Sequence, residues 1–460
     1  MNISANFKNT VGKIKPMHAT NNGPTSWNFD AFCELGVPYA RNHDASFYDG
    51  YGGEHSVDIY AVFPNFDADP YDPASYDFVC TDAYVKICED AGIRTFYRLG
   101  TKIEHTVKKY NTLPPKDFRK WAVICEHIIR HYTEGWADGF HYDMKYWEIW
   151  NEADMNDDAP NKPTWGGTRA EYYEMYHITA THLKKCFPHL MIGGPGNSGR
   201  FKIAEEFLAQ LKAPLDFFSW HRYTSQPSEI VGKTRLVREL LDQYGYTETE
   251  SILDEWSYIR NFGEDFAYSL RQIKQIKGAA YVAAVMCASQ KEPVDMLMYY
   301  DARPCSYGIF DSDVVCDKRK NYYSLYMFNQ LYRLGNEVES HADEDLYVGA
   351  ATDGENHALM FTHFHDEDAT APKTVTLSMT GLSGRTTAEI YLLDSDHDLT
   401  LTQKLTVNGD TLEWEIEVPN FTSYMILLKN ADAGALGKKD TEKKKTTDVK
   451  SFAFMPNSIS

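Results

Sequence analysis

Two hydrophobic periods alternate between residues 12 and 333. Short runs in which apolar residues dominate or alternate with polar ones read as strands: GKIKPMHA, VPYARNH, IRTFYRL, KYWEIWN, LMIGG, LDFFSWHRY, SILDEW and VDMLMYYD. Between and after them, apolar residues recur at spacings of three and four near 27–35, 76–91, 115–134, 168–187, 201–212, 229–245, 264–290 and 321–333, which predicts helices. In PKDFRKWAVICEHIIRHY the residues Phe118, Trp121, Ala122, Cys125, Ile128, Ile129 and Tyr132 form one apolar stripe. Thr168, with Glu171 three positions later, predicts a capping box at the start of another helix.

Eight strands each followed by a helix is the arithmetic of an α/β protein of the (β/α)8 TIM-barrel class. An open doubly wound sheet competes, but it would carry a glycine-rich phosphate loop after its first strand. GGPGNSG at 193–199 lacks the GK[ST] of such a loop and reads as a turn. After residue 333 the helical period disappears. Short strands separated by DG, NG and DSD predict a C-terminal antiparallel β-sandwich domain over 334–431. The barrel is thus expected over 12–333, with residues 1–11 offering a further strand to the sandwich. The lysine-rich stretch at 432–460 is expected to be a disordered tail.

Composition narrows the functional classes. The 460 residues are 43% hydrophobic and 14% aromatic, enough for a large core. The 31 tyrosines and 9 tryptophans either fill that core or offer flat faces to a ligand. A net charge of −20 repels phosphate backbones, so no nucleic-acid partner is expected. Eight cysteines without a CxxC pair read as reduced thiols. No run of 18 apolar residues predicts a membrane span, so no membrane partner is expected. The N-terminus lacks an apolar h-region, which reads as cytoplasmic, with a secreted chain trimmed of its leader as the alternative.

The active sites of such barrels lie at the C-terminal ends of the strands. Strand two ends in Arg41-Asn42-His43-Asp44, strand four in Asn151-Glu152, strand six in His221-Arg222-Tyr223, strand seven in Asp254-Glu255-Trp256 and strand eight in Tyr299-Tyr300-Asp301. Two glutamates on strands four and seven, each near a tryptophan, are the strongest signal. Paired carboxylates can divide one hydrolysis between a neutral acid, its pKa raised by burial or by the other charge, and an ionised nucleophile. Arg41 and Tyr223 would keep the nucleophile ionised. Glycosidases work this way, and sugars stack on aromatic rings.

WEIWNEAD at 147–154 resembles the strand-four motif of clan A glycoside hydrolases, and LDEWS at 253–257 resembles their strand-seven motif. With KPMHATNNGP and ARNHD, these bring the chain closest to glycoside hydrolase family 39, which contains β-xylosidases and α-L-iduronidases. The resemblance covers about residues 12 to 430. It implies a retaining, exo-acting, β-xylosidase-like enzyme on a carbohydrate substrate, with no cofactor and no metal. It assigns Glu152 as acid/base and Glu255 as nucleophile, with Asn151, His221 and Tyr223 lining the sugar site. His43, His18, Trp256 and Tyr300 are further candidates for substrate contact. Ala153 stands where the family usually has proline, Asp254 where it has a small or hydroxyl residue, and Tyr299-Tyr300 where it has a tryptophan. Another clan A activity, arabinofuranosidase or endo-glycanase, and a catalytically silent sugar-binding protein are the alternatives.

Each candidate has a plainer reading. Glu148, deeper in its strand, reads as a structural acid paired with Arg41 or Arg98. Asp254 could rival Glu255, but neighbouring strand residues point to opposite faces. Trp150, Trp220 and Trp256 could be core or sugar platform, and His18 and His43 could be satisfied barrel histidines. Tyr299, Tyr300 and Arg303 could form part of the rim. EHIIRH sets His127 and His131 one helical turn apart, yet it fails HExxH and falls opposite the apolar stripe, so a solvated face is expected. DADPYD at 67 and DSDHD at 394 lack the glycine and glutamate of a calcium loop.

Overall fold

The computed structural model of the chain describes residues 1–44, 57–155, 162–312, 316–382 and 384–430. The expected tail at 432–460 lies outside the described residues. The chain opens with a long strand, β1 (Asn2–Lys13). Eight parallel strands then close into a barrel: β2 (Ala19–Asn21), β3 (Tyr39–Arg41), β4 (Arg94–Leu99), β5 (Tyr146–Ile149), β6 (Met191–Asn197), β7 (Phe217–Thr224), β8 (Glu250–Tyr258) and β9 (Met296–Tyr299). Each pairs with the next, and β9 returns to β2 through Ala19 and Met298.

Three elements depart from the expected pattern. GKIKPMHA is not the first barrel strand. Its first two residues end β1, whose ladder runs to Lys13 opposite Asn336. Pro16, without an N–H, separates that ladder from β2. The helix expected over 264–290 is two, Phe266–Ile273 and Ile276–Gln290, which meet closely at Gly278. A Cβ at Gly278 would lie 2.6 Å from the carbonyl oxygens of Gln272 and Ile273. GGPGNSG is largely strand, because Gly193 allows β6 to approach β7: a Cβ there would lie 2.2 Å from the Phe217 carbonyl oxygen.

The helices form a ring whose apolar stripes bury the outer barrel faces in one core. Thr168 and Glu171 make the reciprocal capping box at the helix Arg169–Cys186. The solvated face expected for His127 and His131 is instead covered: they are 6% and 1% exposed. His131 stacks on Phe78 at 3.6 Å and its Nε2 bonds Asp82 at 2.9 Å, while His127 packs edge-on to Trp136. The periodicity of one helix cannot report a neighbouring segment laid over its far side. In the two acidic loops Asp72 caps Ala74 and Asp394 accepts from the Asp396 and His397 amides, while Asp67 and Asp398 pair with Lys116 and Lys320.

The remaining strands are β10 (Asn336–Ala342), β11 (Leu346–Thr352), β12 (His357–His363), β13 (Lys373–Thr380), β14 (Arg385–Leu393), β15 (Thr400–Asn408), β16 (Thr411–Val418) and β17 (Thr422–Asn430). With β1 they form one sheet in the order β15-β14-β17-β12-β11-β10-β1-β13-β16, antiparallel except for the parallel β1–β13 ladder. Trp414 of β16 meets Tyr424 of β17 edge-on at 5.9 Å although five strands separate them in the sheet. The sheet therefore folds back into two layers around its own core, which includes Ile3, Phe361, Leu377, Ile390 and Ile426. Asp366 ties this unit to the barrel, accepting from Tyr258 at 2.6 Å and Arg260 at 2.9 Å, with Lys277 at 3.0 Å.

Candidate active site

Inside the barrel the strands build a floor before they build a site. Ala19, Phe96, Tyr146, Phe217, Ile252, Met296 and Met298 fill the lower lumen. Because side chains alternate, the next inward positions carry Glu148 on β5 and Ser219, His221 and Tyr223 on β7. Beyond Ile149 the backbone leaves the strand, with Trp150 and Glu152 at φ 73° and 48°. A bulky residue adopts that conformation only when its surroundings enforce it. Here Trp150 Nε1 donates to the Thr164 carbonyl at 2.9 Å, Thr164 Oγ1 donates to the Glu152 carbonyl at 2.6 Å, and the Glu152 amide donates to Gly196 at 2.9 Å.

On β8 the expected alternation fails where the chemistry lies. Leu253 sits opposite Trp220 and Glu255 opposite His221, so Asp254 is the extra residue of a bulge. Asp254 and Glu255 consequently both face the lumen, and Asp254 reaches Arg41 at 3.1 Å. Trp256 then points outward, wholly buried between Tyr281 and Tyr299, and is core rather than a substrate platform.

Arg41 is the hub. Its Nε meets Glu148 at 2.8 Å, its Nη1 meets Glu255 at 2.7 Å and Asn21 at 3.1 Å, and its Nη2 meets Asn151 at 2.7 Å. Ser219 donates a second bond to Glu148 at 2.6 Å, which agrees with the structural-acid reading of Glu148. Tyr223 donates to the other Glu255 oxygen at 2.8 Å. His221 Nδ1 lies 2.8 Å from Glu152 and 3.5 Å from Glu255. His43 completes the group, with Nε2 3.5 Å from the Asn151 amide and 3.9 Å from Glu255.

Burial is the leading influence on these charges. It lifts Glu152 from 4.5 to about 7, His221 opposing the rise and Glu255 and Asp154 adding to it. At His221 burial is outweighed by Glu255, Asp254 and Glu152, which raise the imidazole to about 10 and keep it cationic. His43 is held well below its ordinary value by burial, with Arg41 and Arg98 contributing, so its ring is neutral. Glu148 accepts the Arg41 Nε–H, while Asp254 lies 3.1 Å from the same nitrogen without a hydrogen bond. Burial disfavours charge on both; Arg41 and Ser219 prevail at Glu148 and hold it low, while burial and Glu148 push Asp254 well up. By distance Arg41–Asp254 is an ion pair, but the N–H goes to Glu148 and two carboxylates crowded on one guanidinium nitrogen cannot both ionise cheaply, so we read Asp254 as a neutral acid.

The structure thus gathers Glu152, Glu255, Asn151, His43, His221 and Tyr223. Tyr300 joins the rim, its hydroxyl donating to Asp44 at 2.7 Å and its ring 6.2 Å from Tyr223. His18 lies elsewhere: it precedes β2 at the opposite barrel end, packed on Phe328 and Tyr332 of an outer helix. Trp150 and Trp220 are also core, against Trp121 and Trp165 and against Phe201. Among the described residues Phe262 offers an exposed flat face at the mouth, 62% exposed and 5.6 Å from Tyr223. Sequence reasoning passed over Ser219 and Asp154, the latter accepting from Asn197 at 3.0 Å and Ser198 at 2.8 Å. The second acid in NEAD was the available signal. Among the described residues two groups could hold a metal ion, Glu152–His221–Glu255 and Glu126–His182–Cys186. In the first, a cation would have to displace the tightly held His221 proton.

The sequence model of the glycosyl hydrolases family 39 matches residues 55–305. A β-xylosidase of Caldicellulosiruptor saccharolyticus is 28% identical over 249 residues, 48% of this chain and 46% of that protein, so the matched stretch spans less than half of that relative. Two solved structures share the fold. A glucosidase from Croceicoccus marinus has TM-score 0.77 and 23% identity, covering 93% of this chain and 99% of the other. A monomeric β-xylosidase from Caulobacter crescentus has TM-score 0.72 and 17% identity, covering 94% and 99%.

Proposed function

The chain belongs to glycosyl hydrolases family 39, and from that premise we propose that it is a retaining, exo-acting glycoside hydrolase of β-xylosidase-like specificity. The observation that carries the mechanism is the approach of two carboxylates: one oxygen of Glu152 and one of Glu255 lie within 4.8 Å of each other, with His221 Nδ1 between them. Retaining enzymes hold their carboxyl groups about 5–5.5 Å apart, whereas inverting enzymes leave about 6.5–9.5 Å for a water.

In this reading Glu152, half protonated near pH 7, gives its proton to the glycosidic oxygen while Glu255 attacks the anomeric carbon. Arg41 and Tyr223 each donate to Glu255 and aim it. Once the leaving group departs, Glu152 has lost its proton and draws one from water, which releases the sugar from Glu255. His221 bonds Glu152 and steadies that returning negative charge. Asn151 and His43 take the hydroxyl beside the reacting carbon, and Tyr300 borders the mouth.

The test is a panel of aryl glycosides of xylose, arabinose, galactose, glucose and uronic acids. Turnover with retained anomeric configuration and a covalent fluoro-sugar label on Glu255 are the expected results. Inverted product, a label elsewhere, or sugar binding without turnover across the panel would overturn the reading.

A further inference from the structure

On the outside of the helix ring, the helices Phe118–Glu134 and Arg169–Cys186 bring three different ligand types together. His182 and Cys186 stand four residues apart, one turn along the same face, and Glu126 reaches them from the neighbouring helix. His182 Nε2 lies 2.6 Å from Glu126 Oε2 and 3.9 Å from Cys186 Sγ, and all three ligand atoms lie within 4.8 Å of one another. We propose that Glu126, His182 and Cys186 form a divalent-cation site, with Zn²⁺ the best-matched ion, that clamps these two helices.

The geometry is close to what zinc requires. Bonds of about 2.3 Å to sulfur, 2.0–2.1 Å to nitrogen and 2.0–2.2 Å to oxygen in a tetrahedron set nitrogen about 3.6 Å from sulfur and about 3.4 Å from oxygen. The nitrogen–sulfur separation is already within a few tenths of an ångström of that value. The nitrogen–oxygen pair must open by under 1 Å, as it would when an ion replaces the proton between them. Glu126 is also oriented from behind. Arg130 Nε holds its Oε1 at 2.8 Å, leaving Oε2 to face the ion, and Arg130 is itself bonded to Glu134. Ligating carboxylates are commonly fixed by such an outer partner. A mixed thiolate, imidazole and carboxylate set selects zinc over calcium or magnesium, which prefer oxygen alone. His182 is 31% exposed, so water can fill the fourth position. The two helices follow β4 and β5, so the clamp would brace the strand that leads to Glu152 without touching the sugar site.

The full chain, stripped of metal, is titrated with Co²⁺ as a spectroscopic substitute for Zn²⁺. Expected are a near-ultraviolet thiolate-to-cobalt band that Zn²⁺ abolishes, loss of that band in Cys186→Ser, and a Zn²⁺-dependent rise in Tm that Cys186→Ser lacks. His182→Gln should weaken Zn²⁺ binding by at least the about 10–100-fold that outer-shell partners are worth. The Glu152–His221–Glu255 group contains no thiol and cannot produce the band. No band, or the same band in Cys186→Ser, would overturn the proposal.

Discussion

The floor and the upper layer of the barrel lumen come from the same strands and follow the same alternation except at the β8 bulge, yet they differ completely in what they do. On β5 Tyr146 belongs to the floor and Glu148, two residues on, to the charged layer; on β7 Phe217 gives way to Ser219 and His221; on β8 Ile252 gives way to Asp254 and Glu255. The floor is largely apolar and buried, which stabilises the barrel through packing. It also removes water from beneath Arg41, Glu148 and Asp254, so each charge there must be answered by a neighbour. One step along each strand separates stability from chemistry.

Substitutions should separate the two layers, and the largest effect belongs to the upper one. Glu255→Ala should lower kcat per folded molecule on the order of 10⁴–10⁶-fold, measured on the best sugar of the panel. Glu152→Gln should cost about 10²–10⁴-fold on glycosides with poor leaving groups and much less on activated aryl glycosides; equal losses would remove its acid role. Because Glu152 must hold its proton, kcat/KM should fall as pH rises through about 7, and that limb should vanish in Glu152→Gln assayed with an activated substrate. The same upward shift makes its contribution to stability complete below 4.5 and lost as pH rises through about 7, so Glu152→Gln should flatten stability across that window.

In the floor, Phe217→Ala should cost about 3–5 kcal/mol of stability while leaving kcat per folded molecule nearly unchanged. Glu148→Gln should cost a similar amount, because it leaves buried Arg41 without its main counter-charge, but it should depress kcat as well, since Arg41 also holds Glu255. Denaturant melts beside active-site titration distinguish these two outcomes. The smallest effect should come from Asp254→Asn, which mimics a neutral acid: less than about 1.4 kcal/mol, or tenfold in kcat/KM. A larger loss would mean that Asp254 works as a charge.

Much of the fold was legible because it rests on local periods. Seven of the eight strand patterns, the helical stripe from Phe118 to Tyr132, the capping box at Thr168 and the change of pattern after residue 333 all reflect which faces must be buried, and burial leaves its mark on the residues themselves. The barrel ends of Asn151-Glu152 and Asp254-Glu255 could be marked in the same way. The direction of a side chain was less legible wherever it depended on a neighbour. Trp256 and His18 carry the right chemistry for a sugar site and face the wrong way or the wrong end. His127 and His131 sit on the far side of their helix and are covered by Trp136 and by Phe78 and Asp82 at the start of a neighbouring helix, which the period of their own helix cannot announce. Asp254 enters the lumen only because β8 bulges against β7.

The sequence by itself determined the order of strands and helices, the closed barrel with its appended sheet, and the presence of two acids at strand ends, because hydrophobic periodicity is a property of each segment alone. Only the tertiary structure decided that Arg41 would gather Glu148, Asp254, Glu255 and Asn151, and that burial would bring Glu152 to about 7. Register between strands and the desolvation of a charge are set by what lies across the lumen, and no stretch of chain carries that information alone.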